Sequence, residues 1–250
     1  MGAQFCYHAA SKTPLETLRF HAEAKGAQVR LDSQGSIASR CATFHDGIVF
    51  SQRPVLPREP VTVRVLRHEK QWQGGLRVGF TRLDPAHVPA SSLPPYVCPD
   101  LVQQSPTWAA VVPECFVLEG NVVSFWFSRH GWLLAEVNAE PPIVLRRDVA
   151  MGAPLWAVMD VYGTTKAIEL LDNTLPRTMP SVLSGDFLRD PKDTAGQECA
   201  VCFHDAANTY LVPCGHSDFC YHCAWRVFRE TAKCPICRWK IEDVARLHLC

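Results

Sequence analysis

"LVPCGHSDFCYHCAW", residues 211–225, holds three cysteines and two histidines in 15 residues. That is far more thiol and imidazole than a folded core needs. The wider pattern is Cys199-x2-Cys202, Cys214-x-His216, Cys220-x2-Cys223 and Cys234-x2-Cys237. Eight soft or borderline ligands in four pairs suffice for two tetrahedral zinc sites. The short spacing lets a tight knuckle aim two side chains at one ion, and the metal keeps each cysteine as thiolate at neutral pH. A chance pair or a redox dithiol explains one Cys-x2-Cys, but not four consecutive pairs with histidine in fourth position. About 40 residues offer too little core to fold alone, so metal is expected to supply much of the folding free energy. His204 and His222 fall outside this register and read as surface or locally bonded imidazoles.

The rest of the chain is different in texture. Five cysteines (Cys6, Cys41, Cys98, Cys115, Cys250) are isolated, whereas seven lie between 199 and 237, which marks a domain boundary. The 250 residues are 47% hydrophobic and 20% charged, an ordinary globular balance. Net charge is zero, and the last 60 residues carry seven Lys+Arg against seven Asp+Glu. The electrostatic footprint of a nucleic-acid binder is missing, so no nucleic-acid partner is expected. "MGAQFCYHAASK" has no apolar signal region, and no run reaches the ~18 apolar residues of a membrane span. The expected location is the reducing cytosol, where cysteines are thiols or metal ligands.

Between residues 17 and 172 short alternating runs are separated by turn signals. Val61, Val63 and Val65 share one face of a strand, as do Leu76, Val78 and Phe80, and Val123, Phe125 and Phe127. Asp46-Gly47, Gly120-Asn121 and His130-Gly131 supply turns. The pattern predicts a mostly β fold, an antiparallel β-sandwich. Phe125, Trp126 and Trp156 are assigned to its core, and Cys98 and Cys115 read as buried small hydrophobes. Residues 1–16 read as a flexible arm, 173–197 as a Pro-containing linker, 198–240 as the zinc domain and 241–250 as a tail. "AWRVFRET" reads as a helix. Cys250 reads as a free terminal thiol.

Histidine fourth among the eight ligands resembles the RING finger. In its cross-brace, Cys199, Cys202, Cys220 and Cys223 share one zinc, and Cys214, His216, Cys234 and Cys237 share the other. Two closed, structural Zn2+ ions follow, with no open position for catalysis. The resemblance implies docking of a ubiquitin-charged conjugating enzyme on Val201, Val227, Pro235 and Ile236. It also implies a catalytic linchpin at Arg238, whose planar fork can hydrogen-bond ubiquitin and the enzyme together. The rival expectations are a non-catalytic adaptor or RING heterodimer partner, and, against the closed sites, a zinc hydrolase.

"LRFHAEAKGAQVRL", "HDGIVFSQRPV", "GGLRVGFTRLDP", "LPPYVCPDL", "GNVVSFWFSRHG" and "PLWAVMDVYGTTKAIELLD" resemble successive blocks of a neuralized homology repeat. That repeat is a SPRY-like β-sandwich that recruits proteins, and one repeat before a RING is the layout of the neuralized-like RING ubiquitin ligase family. The resemblance implies direct transfer of ubiquitin to lysines of a recruited protein substrate. In the family such substrates include membrane-protein cytoplasmic tails in Notch signalling. A cytoplasmic location, including membranes or endosomes, follows. Recruitment candidates on loops are Asp46, Gly47, Arg53, Tyr96 and Trp132. Gly2 and Cys6 are weighed as lipidation sites against an unmodified arm, with Cys6 standing where myristoylation favours Ser or Thr.

Overall fold

Strong alternation from Val61 to Val65 and from Val123 to Phe127 produces the central strands of one sheet of a β-sandwich. The computed structural model describes residues 16–172 and 198–246. Gly2, Cys6, nearly all of the predicted arm, the whole predicted linker and Cys250 lie outside them. The early strands are β1 (Phe20–Lys25), β2 (Val29–Leu31), β3 (Ile37–Arg40), β4 (Ile48–Val55), β5 (Val61–His68) and β6 (Arg77–Thr81). Next come β7 (Thr107–Val111), β8 (Val122–Phe127), β9 (Leu133–Val137), β10 (Ile143–Arg146), β11 (Leu155–Asp160) and β12 (Thr165–Leu170). All pair antiparallel, in a five-stranded sheet β1-β4-β11-β6-β7 and a seven-stranded sheet β10-β9-β8-β5-β12-β3-β2.

The inner faces interlock around Phe80, which meets Phe127 edge-on at 4.8 Å and Phe125 at 5.5 Å between ring centroids. The five-stranded sheet is covered on its outer face too. There Ala24, Ile48, Phe50, Ala109 and Val158 pack under Val97, Cys98 and Leu101. Burial on both sides explains why every residue of β6 is buried. Gly79 in β6 is required by the approach of β7, because a Cβ there would lie 2.2 Å from the Trp108 carbonyl oxygen.

Two aromatic assignments change. Phe125 is fully buried, but Trp126 and Trp156 are half-buried, because strand alternation turns them away from the faces of Phe125 and Leu155. Cys98 is buried as expected. Cys115 is instead half-buried, in a turn at Glu114–Phe116, and disulfide-bonded.

The zinc domain extends further than its ligands. β13 (Thr209–Val212) pairs antiparallel with β14 (Asp243–Arg246), and Ile241 and Val244 are buried in its core beside Leu211, Phe219 and Ala224. Residues 241–246 are thus part of this domain and not of a tail. Its helix, Tyr221–Glu230, begins three residues before the predicted segment. Among the described residues no helix is long and apolar enough to cross a membrane.

The small domain rests on the large one. The Val111 N–H of edge strand β7 donates to the Pro213 carbonyl at 3.1 Å. Trp239 packs both into the zinc domain's core and against the outer cluster of the five-stranded sheet. Arg147 pairs with Asp243 at 3.0 Å and Arg146 with Glu242 at 3.4 Å.

Truncation after Lys240 removes Ile241 and the whole of β14. The expected outcome is faster zinc loss to a competing chelator, with β-sandwich unfolding unchanged. Zinc retention equal to that of the full chain would contradict the place given to β14.

Candidate functional site

Each ligand pair is aimed by a local turn. Val201 N–H approaches Cys199 Sγ at 3.4 Å, and Cys199 N–H donates to the Asp205 carbonyl at 2.8 Å, closing the first knuckle. After β13, Gly215 adopts φ +75° and donates to the Leu211 carbonyl at 2.7 Å, so the turn presents Cys214 and His216 together. Cys220 is the residue before the helix, and Cys223 sits in its first turn. In the last knuckle Cys234 N–H donates to the Trp239 carbonyl and Arg238 N–H to the Cys234 carbonyl, both at 2.8 Å.

These turns assemble two clusters, Cys199–Cys202–Cys220–Cys223 and Cys214–His216–Cys234–Cys237, whose ligand atoms lie within 4.8 Å of one another. A tetrahedral zinc bonded to sulfur at about 2.3 Å and nitrogen at about 2.0 Å requires ligand edges of about 3.5–3.8 Å. Cys202 Sγ and Cys220 Sγ are 3.9 Å apart, and Cys234 Sγ and His216 Nδ1 are 3.5 Å apart. The residues fit zinc. Burial pushes the Cys199 thiol up, but N–H groups of Cys220, Cys202 and Val201 outweigh it and bring it down to about 6. The neighbouring Cys214 and Cys234 thiols bring Cys237 down to about 3. Four protein ligands per ion leave no open position, so both zincs are structural.

Around this scaffold Val201 and Val227 are half-buried, whereas Pro235 and Arg238 are exposed and Ile236 is 51% exposed. Arg238 follows the last ligand directly and has φ +61°, a left-handed conformation set by the knuckle. His204 and His222 are both exposed and belong to neither metal cluster.

On the sandwich, the structure gathers some loop candidates and separates others. Asp46, at φ +57°, lies 2.6 Å from the His45 ring nitrogen, and His45 meets the Tyr96 ring at 6.1 Å. Gly47 is a packing glycine, since a Cβ there would lie 2.3 Å from the Val161 carbonyl oxygen. Arg53 is held by Glu59 at 2.7 Å, and Trp132, 41% exposed, has Arg147 at 5.5 Å from its ring. Sequence reasoning missed Phe44, Trp72, Arg77, Asp160 and Tyr162. Arg77 stacks 3.4 Å from the Tyr162 ring centroid and donates to the fully buried Asp160 carboxylate at 2.9 Å. Tyr96 meets Tyr162 edge-on at 5.8 Å, and Phe44 lies 5.0 Å from Trp72. Burial pushes the Asp160 carboxyl above its ordinary value, against the pull of Arg77 and the Val97 N–H. Burial would lower Arg77, but the Asp160 charge outweighs it and keeps the guanidinium charged. Aromatic loop residues beside "QWQGG" are the one signal that could have pointed here.

Residues 20–172 match the family described as Neuralized, and residues 195–244 match Zinc finger, C3HC4 type (RING finger). E3 ubiquitin-protein ligase NEURL3 of Homo sapiens is 66% identical over 248 residues, covering 98% of this chain and 95% of that protein. Protein neuralized of Drosophila melanogaster is 32% identical over 161 residues, 64% of this chain and 21% of that protein. Among solved structures, the crystal structure of the Drosophila melanogaster neuralized-nhr1 domain aligns with a TM-score of 0.60 at 33% identity. It covers 62% of this chain and 98% of that one. Fold, zinc ligands and these matches define a RING-type ubiquitin transferase. The chain belongs to the neuralized family of RING ubiquitin ligases.

Cys214→Ser breaks one cluster, so metal analysis should find fewer than two zincs per chain while the sandwich stays folded. Two retained zincs would contradict the ligand assignment. Asp160→Ala leaves Arg77 buried without its partner, and denaturant unfolding should show a sandwich weaker by about 3–5 kcal/mol. A change within ~0.5 kcal/mol would show that the pair does not hold the aromatic cluster.

Proposed function

We propose that the RING docks a ubiquitin-charged conjugating enzyme through Val201, Val227, Pro235 and Ile236, and that Arg238 bridges that enzyme and its ubiquitin. The observation that carries this reading is the exposed Arg238 directly after Cys237, next to the exposed Pro235–Ile236 tip of the last knuckle. A rigid zinc-held knuckle fixes where the guanidinium sits, which suits a donor that must contact two partners at once. The substrate lysine attacks the thioester carbon while ubiquitin is still on the conjugating enzyme, and the enzyme's thiolate leaves. The ligase contributes positioning and forms no covalent intermediate.

The neuralized sandwich is the recruiting module. The cluster of Phe44, His45, Trp72, Tyr96 and Tyr162 around Arg77 is the surface best suited to a peptide, because it gathers half-buried rings, edge-to-face or tilted, around a fixed, buried cation. The family resemblance favours a membrane-protein cytoplasmic tail as substrate, within Notch signalling. The same resemblance supports a reaction in the cytoplasm, at membranes or endosomes. Acylation of Gly2 and Cys6 would hold the chain there, since one acyl chain binds membranes only marginally and two bind stably.

Arg238→Ala should keep two zincs yet slow discharge of ubiquitin from the conjugating enzyme to free lysine by roughly tenfold or more, as expected for loss of a positioned charged donor. An unchanged discharge rate would remove Arg238 from the mechanism.

A further inference from the structure

The balanced charge of the zinc domain hides a separation of sign. Residues 198–246 hold six Lys+Arg and six Asp+Glu. Two of the acidic side chains, Glu242 and Asp243, are engaged by Arg146 and Arg147 of the sandwich. Arg226, Arg229 and Arg246 are exposed, and none of the three has an ion-pair partner among the described residues. Arg226 and Arg229 are neighbours on the RING helix, three residues apart. Arg246 comes from β14 and is held against the same helix by Tyr221, with its guanidinium 4.1 Å from the ring centroid.

Tyr221, His222, Trp225, Arg226, Arg229 and Glu230 border one cavity of about 630 Å³, so they form one continuous face, with Glu230 its single carboxylate. Two residues advance a helix by about 200°, so Val227 turns away from Trp225 and Arg229. The face is therefore on the other side of the helix from the residue assigned to the conjugating enzyme.

The chemistry of the face selects its occupant. Three guanidinium groups without counter-charges call for anions. Single-stranded nucleic acid needs open ring faces on which to stack its bases. Here Arg246 covers Tyr221, and half-buried Trp225 sits edge-on to Tyr221 at 6.1 Å and to Phe228 at 5.3 Å. An anionic membrane surface needs apolar side chains that reach below the headgroups, but Tyr221, 36% exposed, is the one exposed large hydrophobic residue of this helix. An extended acidic peptide meets both conditions. Its alternate side chains repeat about every 6–7 Å, close to the ~5–6 Å between side chains at helix positions i and i+3. Each carboxylate can then take a forked pair of hydrogen bonds from one arginine.

We propose that this helix face is a second docking surface of the RING, which takes an extended, acidic peptide segment of a protein partner on Arg226, Arg229 and Arg246. Because Val227 points elsewhere, the peptide and the conjugating enzyme occupy different sides of the helix.

The full chain, with two zincs verified, is titrated into a fluorescein-labelled decapeptide of alternating glutamate and serine, and anisotropy is read at low and physiological ionic strength. Binding should weaken with salt. Joint Arg226→Glu and Arg229→Glu should lower affinity roughly tenfold or more. The neutral pair Arg226→Gln and Arg229→Gln should lower it less, with zinc content and helical circular dichroism unchanged in both. A decapeptide of alternating lysine and serine should not bind. Labelled oligouridylate and phosphatidylserine vesicles are measured alongside, and tighter binding of either would overturn the acidic peptide as occupant. Absence of glutamate-peptide binding at low ionic strength, or binding that both double variants leave unchanged, would overturn the surface itself. Ubiquitin discharge by the glutamine pair should match that of the wild type, and slower discharge would overturn the separation of the two faces.

Discussion

Coordination of eight side chains by two metal ions is the constraint on which the functional half of this protein depends. The RING's own apolar core is small, centred on Leu211, Phe219, Ala224, Ile241 and Val244. That core cannot hold four knuckles closed without metal. The cross-brace ties the first pair to the third and the second to the fourth, so neither zinc site belongs to one local segment. Val201 and Ile236 sit within the first and last knuckles, and Arg238 follows the last. Their placement is therefore a consequence of ligation. The β-sandwich answers to a different force, burial of apolar area between two sheets.

The two halves meet where their chemistries differ most. Trp239 leaves the last knuckle and enters the apolar outer layer of the five-stranded sheet. One residue thus couples the metal-built loop, the Arg238 backbone and the recruiting domain. The aromatic cluster around Arg77 lies close by, since Arg77, Tyr162 and Cys98 share a cavity of about 310 Å³ with Trp239 and His216. The aromatic cluster of the sandwich and the last zinc knuckle of the RING are consequently neighbours.

Much of this was legible in the sequence, for physical reasons. Ligand spacing in a knuckle is local, so Cys199 through Cys237 could be read from pair order alone. Strand alternation is local too, and Val61–Val65 and Val123–Phe127 stood out. Trp126 and Trp156 misled because hydrophobicity does not say which side of a strand a ring takes. β14 was missed because pairing with β13 is decided across an intervening domain core of 30 residues. The Arg77–Asp160 pair joins strands 83 residues apart and cannot be inferred from spacing. Loop candidates met the same limit. Asp46 and Tyr96 fall at the aromatic cluster, but Arg53 is occupied by Glu59, and Trp132 lies with Arg147 near the domain contact.

The most direct test of the account is metal dependence of catalysis. Ubiquitin discharge from a loaded conjugating enzyme to free lysine would be followed with the full chain carrying two zincs, after chelation, and after zinc is restored. Acceleration that is present with two zincs, absent without them and recovered on reloading is the predicted result. Acceleration that survives complete zinc removal, or none with both zincs bound across a panel of conjugating enzymes, would contradict it.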